Sequence, residues 1–157
     1  MRDSQGNTSS PGRIYLNYKC QPGYRIDQTS KTCIPCAPGY FKAQEDSRTA
    51  CLACQAGTYS LYEGSTACLA CPPGKFTSQG ASNFCTSCAR GTFAPTAESK
   101  ACQACAAGTY APRAGASSCY QCGQLSYAPL PGMFRCYDCP RLSRSAIPAN
   151  TNVSNCQ

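Results

Sequence analysis

Residues 54–71 read CQAGTYSLYEGSTACLAC and hold one complete unit of the chain's construction. Cys54 opens it, Gly57 follows three positions on, Thr58 and Tyr59 come next, and Gly64 precedes the closing dyad Cys68-x-x-Cys71. The same pattern runs outward in both directions. C-x-x-C dyads stand at 33/36, 51/54, 68/71, 85/88, 102/105, 119/122 and 136/139, and after one 18-residue step they advance by 17 residues five times. Single cysteines, Cys20 and Cys156, stand at the two ends. So short and regular a period is the mark of a repeat architecture.

Within the repeats an early Gly recurs at Gly23, Gly39, Gly57, Gly74, Gly91 and Gly108. An aromatic follows within two residues: Tyr24, Tyr40 with Phe41, Tyr59, Phe76, Phe93 and Tyr110, with Tyr127 in the next segment. A second Gly stands near the far end of several segments, at Gly64, Gly80, Gly115 and Gly132. The early Gly admits a turn that other residues resist. The aromatic is expected to lie back over the neighbouring disulfide, the packing surface at hand. Thr, Ser and Tyr beside turn glycines favour short extended pieces over helix.

Composition agrees. The chain has 16 cysteines in 157 residues, no Trp and no His, and its larger aliphatic residues are scattered rather than set at helical spacing. Cysteine at this density indicates a disulfide scaffold. The fold class expected is small and disulfide-rich: an elongated, solenoid-like rod of roughly 17-residue repeats with short β pieces and little or no helix. Its parts are an N-terminal arm (1–19), seven disulfide-closed loops (20–139), and a divergent last loop with the C-terminus (140–157).

If each segment closes on itself, the bonds are Cys20–Cys33, Cys36–Cys51, Cys54–Cys68, Cys71–Cys85, Cys88–Cys102, Cys105–Cys119, Cys122–Cys136 and Cys139–Cys156. The x-x of each dyad then becomes a joint between loops. Interleaved pairing also consumes every cysteine and stays open at this level. A closure of about 15 residues stabilises by about 3 kcal/mol in the chain-entropy account.

The stretches 54–71 and CAAGTYAPRAGASSCYQC (105–122) resemble the cysteine-rich repeats of the ephrin-receptor-like family, and are similar to the first half-module of tumour-necrosis-factor-receptor ectodomains. The resemblance runs over about residues 20–139. It implies an elongated ectodomain used for spacing or protein contact, and names no ligand. The last two segments depart from it: Leu125 and Leu142 replace the early Gly, and Arg144 stands where the aromatic belongs.

Other chemistries fit less well. Cys33, Cys36, Cys51 and Cys54 have a spacing close to that of a zinc ribbon, but the pattern continues through seven dyads and the chain has no His. A redox C-x-x-C needs a βαβ context that is missing here. Hydrolytic catalysis lacks its usual groups, since Glu45-Asp46 is the sole adjacent pair among seven carboxylates. We therefore expect no enzyme activity, no cofactor, no metal and no small-molecule substrate.

The net charge is +7, yet Lys31, Lys42, Lys75, Arg90, Lys100 and Arg113 are spread along the chain. This argues against nucleic-acid binding and for weak attraction to acidic surfaces. No apolar run is long enough to span a membrane, and residues 1–20 lack the apolar stretch of a signal peptide. Asn7-Thr8-Ser9 and Asn152-Val153-Ser154 match the glycosylation sequon.

Two segments stand out as partner contacts. YAPLPGMF (127–134) sets Tyr127, Leu130, Met133 and Phe134 among prolines with little core to receive them. The cysteine-free arm carries Ile14, Tyr15, Leu16 and Tyr18. The function expected is structural: an extended, disulfide-stapled cement or tether among protein subunits of a large extracellular or surface assembly, such as a surface filament or a virion in which it is a minor capsid component. The alternative is a piece of a receptor or adhesin ectodomain that binds a protein ligand.

Overall fold

The computed structural model describes residues 19–45 and 50–139. Seven disulfides join adjacent cysteines: Cys20–Cys33, Cys36–Cys51, Cys54–Cys68, Cys71–Cys85, Cys88–Cys102, Cys105–Cys119 and Cys122–Cys136. The pairing is sequential, with Cα–Cα separations of 5.6–5.8 Å. Cysteines oxidised in this way have no thiolate to offer zinc, so the ribbon alternative does not describe them. The expected Cys139–Cys156 bond lies outside the described residues.

Each loop is one antiparallel hairpin. β1 (Tyr24–Ile26) pairs with β2 (Cys33–Pro35), β3 (Tyr40–Phe41) with β4 (Leu52–Ala53), and β5 (Thr58–Tyr59) with β6 (Leu69–Ala70). β7 (Lys75–Phe76) pairs with β8 (Thr86–Ser87), and β9 (Thr92–Phe93) with β10 (Gln103–Ala104). β11 (Thr109–Tyr110) pairs with β12 (Tyr120–Gln121), and β13 (Ser126–Tyr127) with β14 (Tyr137–Asp138). The described residues contain no helix. From the second loop on, the two residues inside each dyad form the return strand of a hairpin, which gives the supposed joint a structure of its own.

The early Gly makes the entry turn. In the third loop Thr58 N donates to Gln55 O at 2.9 Å and Gly57 has φ +90°, the geometry of a type II turn. Pro22, Pro38 and Pro73 occupy the position before the Gly in their own loops, where this turn favours proline. Thr58 Oγ1 adds a second bond to the Gln55 carbonyl at 2.8 Å, repeated by Thr92 on Ala89 and Thr109 on Ala106.

Successive loops are joined by a backbone ladder, with three rungs at each joint from the second loop to the seventh. The turn Gly amide of one loop donates to a carbonyl of the next: Gly39 to Ser60, Gly57 to Thr77, Gly74 to Ala94, Gly91 to Ala111 and Gly108 to Ala128, all at 2.8–2.9 Å. The accepting residues in turn donate onward, as Ser60 N does to Ser82 O at 3.1 Å and Ala111 N to Met133 O at 3.1 Å. The third rung runs back, as from Gly64 N to Cys36 O and from Gly132 N to Cys105 O, both at 2.8 Å. Nearly every backbone group in a thin fold must find such a partner.

Contacts also skip a loop. The Gly57 Cα faces the carbonyl of Glu98, two loops on, so closely that a methyl group there would overlap the oxygen. Gly23 meets Gly64, Gly39 meets Ala81, Gly74 meets Gly115 and Gly91 meets Gly132 in the same way. Each loop therefore reaches across its neighbour, and the solenoid is wound rather than strung end to end.

Beside the buried turn glycines, Gly23 to Gly108, the side chains of the interior form two columns. One is the first cysteine of each loop, from Cys20 to Cys122, all buried. The other lies six residues after that cysteine and comprises Lys42, Ser60, Thr77, Ala94, Ala111 and Ala128, also buried. Its polar members are bonded: Lys42 Nζ donates to Tyr24 O at 2.8 Å, Ser60 Oγ to Tyr62 O at 3.3 Å, and Thr77 Oγ1 to Gln79 O at 3.2 Å. Among the described residues no buried side-chain polar atom lacks a partner.

From the second loop on, the repeat's aromatic stands opposite the first residue inside the following dyad across its own hairpin: Phe41 faces Leu52, Tyr59 Leu69, Phe76 Thr86 and Phe93 Gln103. One expectation needs correction, that of the second glycine site. The left-handed position is held by Gly64, Ala81, Glu98, Gly115 and Gly132, at φ +72, +57, +60, +79 and +78°. Gly80 is one residue out of step, and the conformation falls on Ala81 because the ladder bond to Cys54 O comes from its amide.

Candidate functional site

With both columns facing inward, the side chains left for recognition are those of the return strands and loop tips. Both residues of β4, β6, β8, β10, β12 and β14 are exposed. Large apolar groups recur at the first of these positions: Leu52, Leu69, Tyr120 and Tyr137, each more than a third exposed. Thr86 and Gln103 hold this position in the fourth and fifth loops, so the row carries two apolar clusters, each a surface that a partner can cover.

The last two hairpins each carry a cross-strand pair of tyrosines. Tyr110 packs against Tyr120 with centroids 5.8 Å apart, and Tyr127 against Tyr137 at 6.0 Å, each pair directly opposed across its ladder. Such cross-strand pairs stiffen the strands that carry them. A shallow depression lies beside the first pair, bounded by Pro112, Arg113, Ser117 and Ser118.

The partner residues expected from the sequence divide into three groups. Leu130 and Phe134 are exposed on the seventh loop. Tyr127 and Met133 are half-buried, the first against Tyr137 and the second with its carbonyl in the ladder. Ile14, Tyr15, Leu16 and Tyr18 lie outside the described residues, as do Leu142, Arg144 and both sequons. Leu125, where the early Gly is missing, keeps its turn: Ser126 N donates to Gly123 O at 3.1 Å and Cys139 N to Leu125 O at 2.8 Å. Its side chain is exposed.

Sequence reasoning missed Arg90. Its guanidinium lies 5.4 Å from the Phe134 ring centroid, although 44 positions separate the two residues. Arg135 lies 5.8 Å from the same ring and 5.3 Å from that of Tyr137. No signal in a single sequence places these groups together, because the contact depends on a loop meeting the one two places on.

Electrostatics elsewhere are local. Ser30 donates its amide (2.9 Å) and hydroxyl (2.7 Å) to Asp27, holding that exposed carboxyl below the usual carboxylate range. No group of three or more His, Cys, Asp or Glu among the described residues is arranged to hold a metal ion. No helix among them is long and apolar enough to cross a membrane.

Residues 45–84 and 76–122 match the family described as tyrosine-protein kinase ephrin type A/B receptor-like. No curated protein matches the chain. The matched segments run from the end of the second loop through the sixth, the part where turn Gly, aromatic and dyad recur most regularly. Seven disulfides and this match together indicate an oxidising, extracellular or exterior setting and a role in protein interaction. Residues 45–122 are thus tandem ephrin-receptor-like cysteine-rich repeats.

Proposed function

We propose that the chain is a non-catalytic extracellular interaction module, a stiff run of repeats that presents side chains to a protein ligand as part of a receptor-like or adhesin-like ectodomain. The observation that carries this reading is the division of labour in each repeat. Cysteine, turn Gly and the small column residue are consumed by the fold, while the return strand shows both its side chains to solvent at a fixed period. Conserving such a scaffold while varying its outward residues is the means by which repeat proteins bind.

The cement or minor-capsid reading draws support from neither the fold nor the family match, and the virion has no place in the proposal. A tether role would use the same scaffold but would be contacted along its whole length. Photo-crosslinkers placed singly at Leu52, Leu69, Thr86, Tyr120 and Tyr137 of the oxidised chain, displayed to intact cell surfaces, separate the two. Adducts with one protein from a contiguous group of loops are the expected result. Adducts with several proteins along all loops would replace the module by a tether. An absence of adducts at every position would remove the interaction reading.

A further inference from the structure

We infer that the surface joining the fifth and seventh loops, built on Arg90, Phe134, Arg135 and Tyr137, is a docking site for an acidic protein segment carrying an aromatic or aliphatic residue beside its carboxylate. This rests on the interaction reading above and assigns it a place and a partner chemistry.

The repeat itself does not require these residues. Arg90 precedes the turn glycine of its loop, where the other loops have Pro22, Pro38, Ala56, Pro73, Ala107 and Gln124. Phe134 stands two residues past the left-handed position, where Thr66, Asn83, Lys100 and Ser117 stand in the earlier loops. Packing of Gly91 against the Gly132 carbonyl brings these two sites together. Of the five equivalent junctions, this one sets a guanidinium over an aromatic ring.

The chemistry is that of a receptor for carboxylates. Arg90 and Arg135 both lie against the Phe134 ring, and Arg135 also reaches Tyr137. A guanidinium resting beside an aromatic ring gives up none of its N–H groups to it and can still grip a carboxylate with two of them. That reduces the ordering cost of binding. All four residues are exposed, and neither arginine is in an ion pair among the described residues. Between residues 99 and 137 there is no Asp or Glu to compete, and Asp138 alternates to the opposite face of β14 from Tyr137.

Apolar neighbours decide between kinds of anion. Phe134 and Leu130 are 46% and 63% exposed, and a sulfated polysaccharide has nothing apolar to cover them. Arg and Tyr with a flanking apolar group are the residues that dominate protein–protein binding energy. A second copy of the chain is disfavoured by its +7 net charge, although Leu61-Tyr62-Glu63 would supply the right side chains.

The test is equilibrium binding of three labelled probes to the oxidised full chain: a random glutamate–tyrosine copolymer, polyglutamate and heparin. The copolymer should bind about tenfold more tightly than polyglutamate. Arg90→Ala and Phe134→Ser should each weaken the copolymer by about five- to twentyfold. Arg90→Lys, which keeps charge but loses the planar two-pronged donor edge, should fall between. Arg113→Ala, an exposed arginine outside the patch, should change binding less than about twofold. Intact disulfide maps for the variants keep a folding defect from imitating the result. Equal affinity for both polypeptides, equal effects of Arg90→Ala and Arg113→Ala, or tightest binding of heparin would overturn the assignment. So would self-association of the unlabelled chain that Glu63→Lys abolishes. If the crosslinking above finds one ligand on another group of loops, this site fails while the module reading stands.

Discussion

The inner column has two halves that share geometry and differ in chemistry. At its N-terminal end stand Lys42, Ser60 and Thr77, and at its C-terminal end Ala94, Ala111 and Ala128, all buried. All six carbonyls accept from a turn-Gly amide, and the ladder is continuous through both halves. The position therefore selects for a small profile near the backbone and for satisfied polar atoms, with apolarity a secondary matter. Where an oxygen or nitrogen is present, a carbonyl within reach accepts from it. This is how a chain without a large hydrophobic core stays ordered: disulfides limit the unfolded ensemble and the ladder couples the loops.

The comparison can be broken most severely through what the two halves share. Gly39→Ala and Gly91→Ala should each destabilise by about 3 kcal/mol or more, combining left-handed strain with overlap on the Ala81 or Gly132 carbonyl. Non-reducing chemical denaturation should show similar losses at both ends, and a loss at one end alone would mean the ladder is not uniform. Ala111→Leu should follow at about 2–3 kcal/mol from overpacking, whereas Ala111→Ser should stay within about 1 kcal/mol because the other half already carries a hydroxyl there. Lys42→Met keeps the volume and removes the donor to Tyr24 O, so a loss of about 1–2 kcal/mol is expected. The smallest effect has the opposite sign. Ala81→Gly should stabilise by about 0.5–1 kcal/mol, since Ala81 holds φ +57° at a position where Gly64, Gly115 and Gly132 stand in sister loops. A loss on that substitution would show that the Ala81 methyl has a packing role.

Much of this fold was legible in the residues. The 17-residue period, the end singletons and the early glycines led to the sequential pairing and the entry turns. The inner column was not seen, though its signal was present as a small or satisfied residue six positions after each opening cysteine from Cys36 on. A search for apolar periodicity passes over a column that begins with lysine. Leu125 read as a departure from the repeat pattern, whereas backbone bonds to the Gly123 and Leu125 carbonyls keep the turn without glycine at that position. The patch at Arg90 and Phe134 was beyond reach, since the superhelical winding that joins a loop to the one two places on leaves no mark in a single sequence. Leu130 and Phe134 were singled out for their lack of a core to enter, and both are exposed; that argument did not reach the arginines of the proposed patch.

Amide hydrogen exchange on the oxidised chain tests the central claim most directly, because the ladder makes statements about individual N–H groups. The amides of Gly57, Gly74 and Gly91, with those of Ser60, Ala94 and Ala111, should exchange slowly and at similar rates, and Gly91→Ala should release protection in the flanking loops together. Protection confined to the amides paired within each hairpin, with those inter-loop amides exchanging as fast as the loop tips, would contradict the account and leave a string of independent stapled loops.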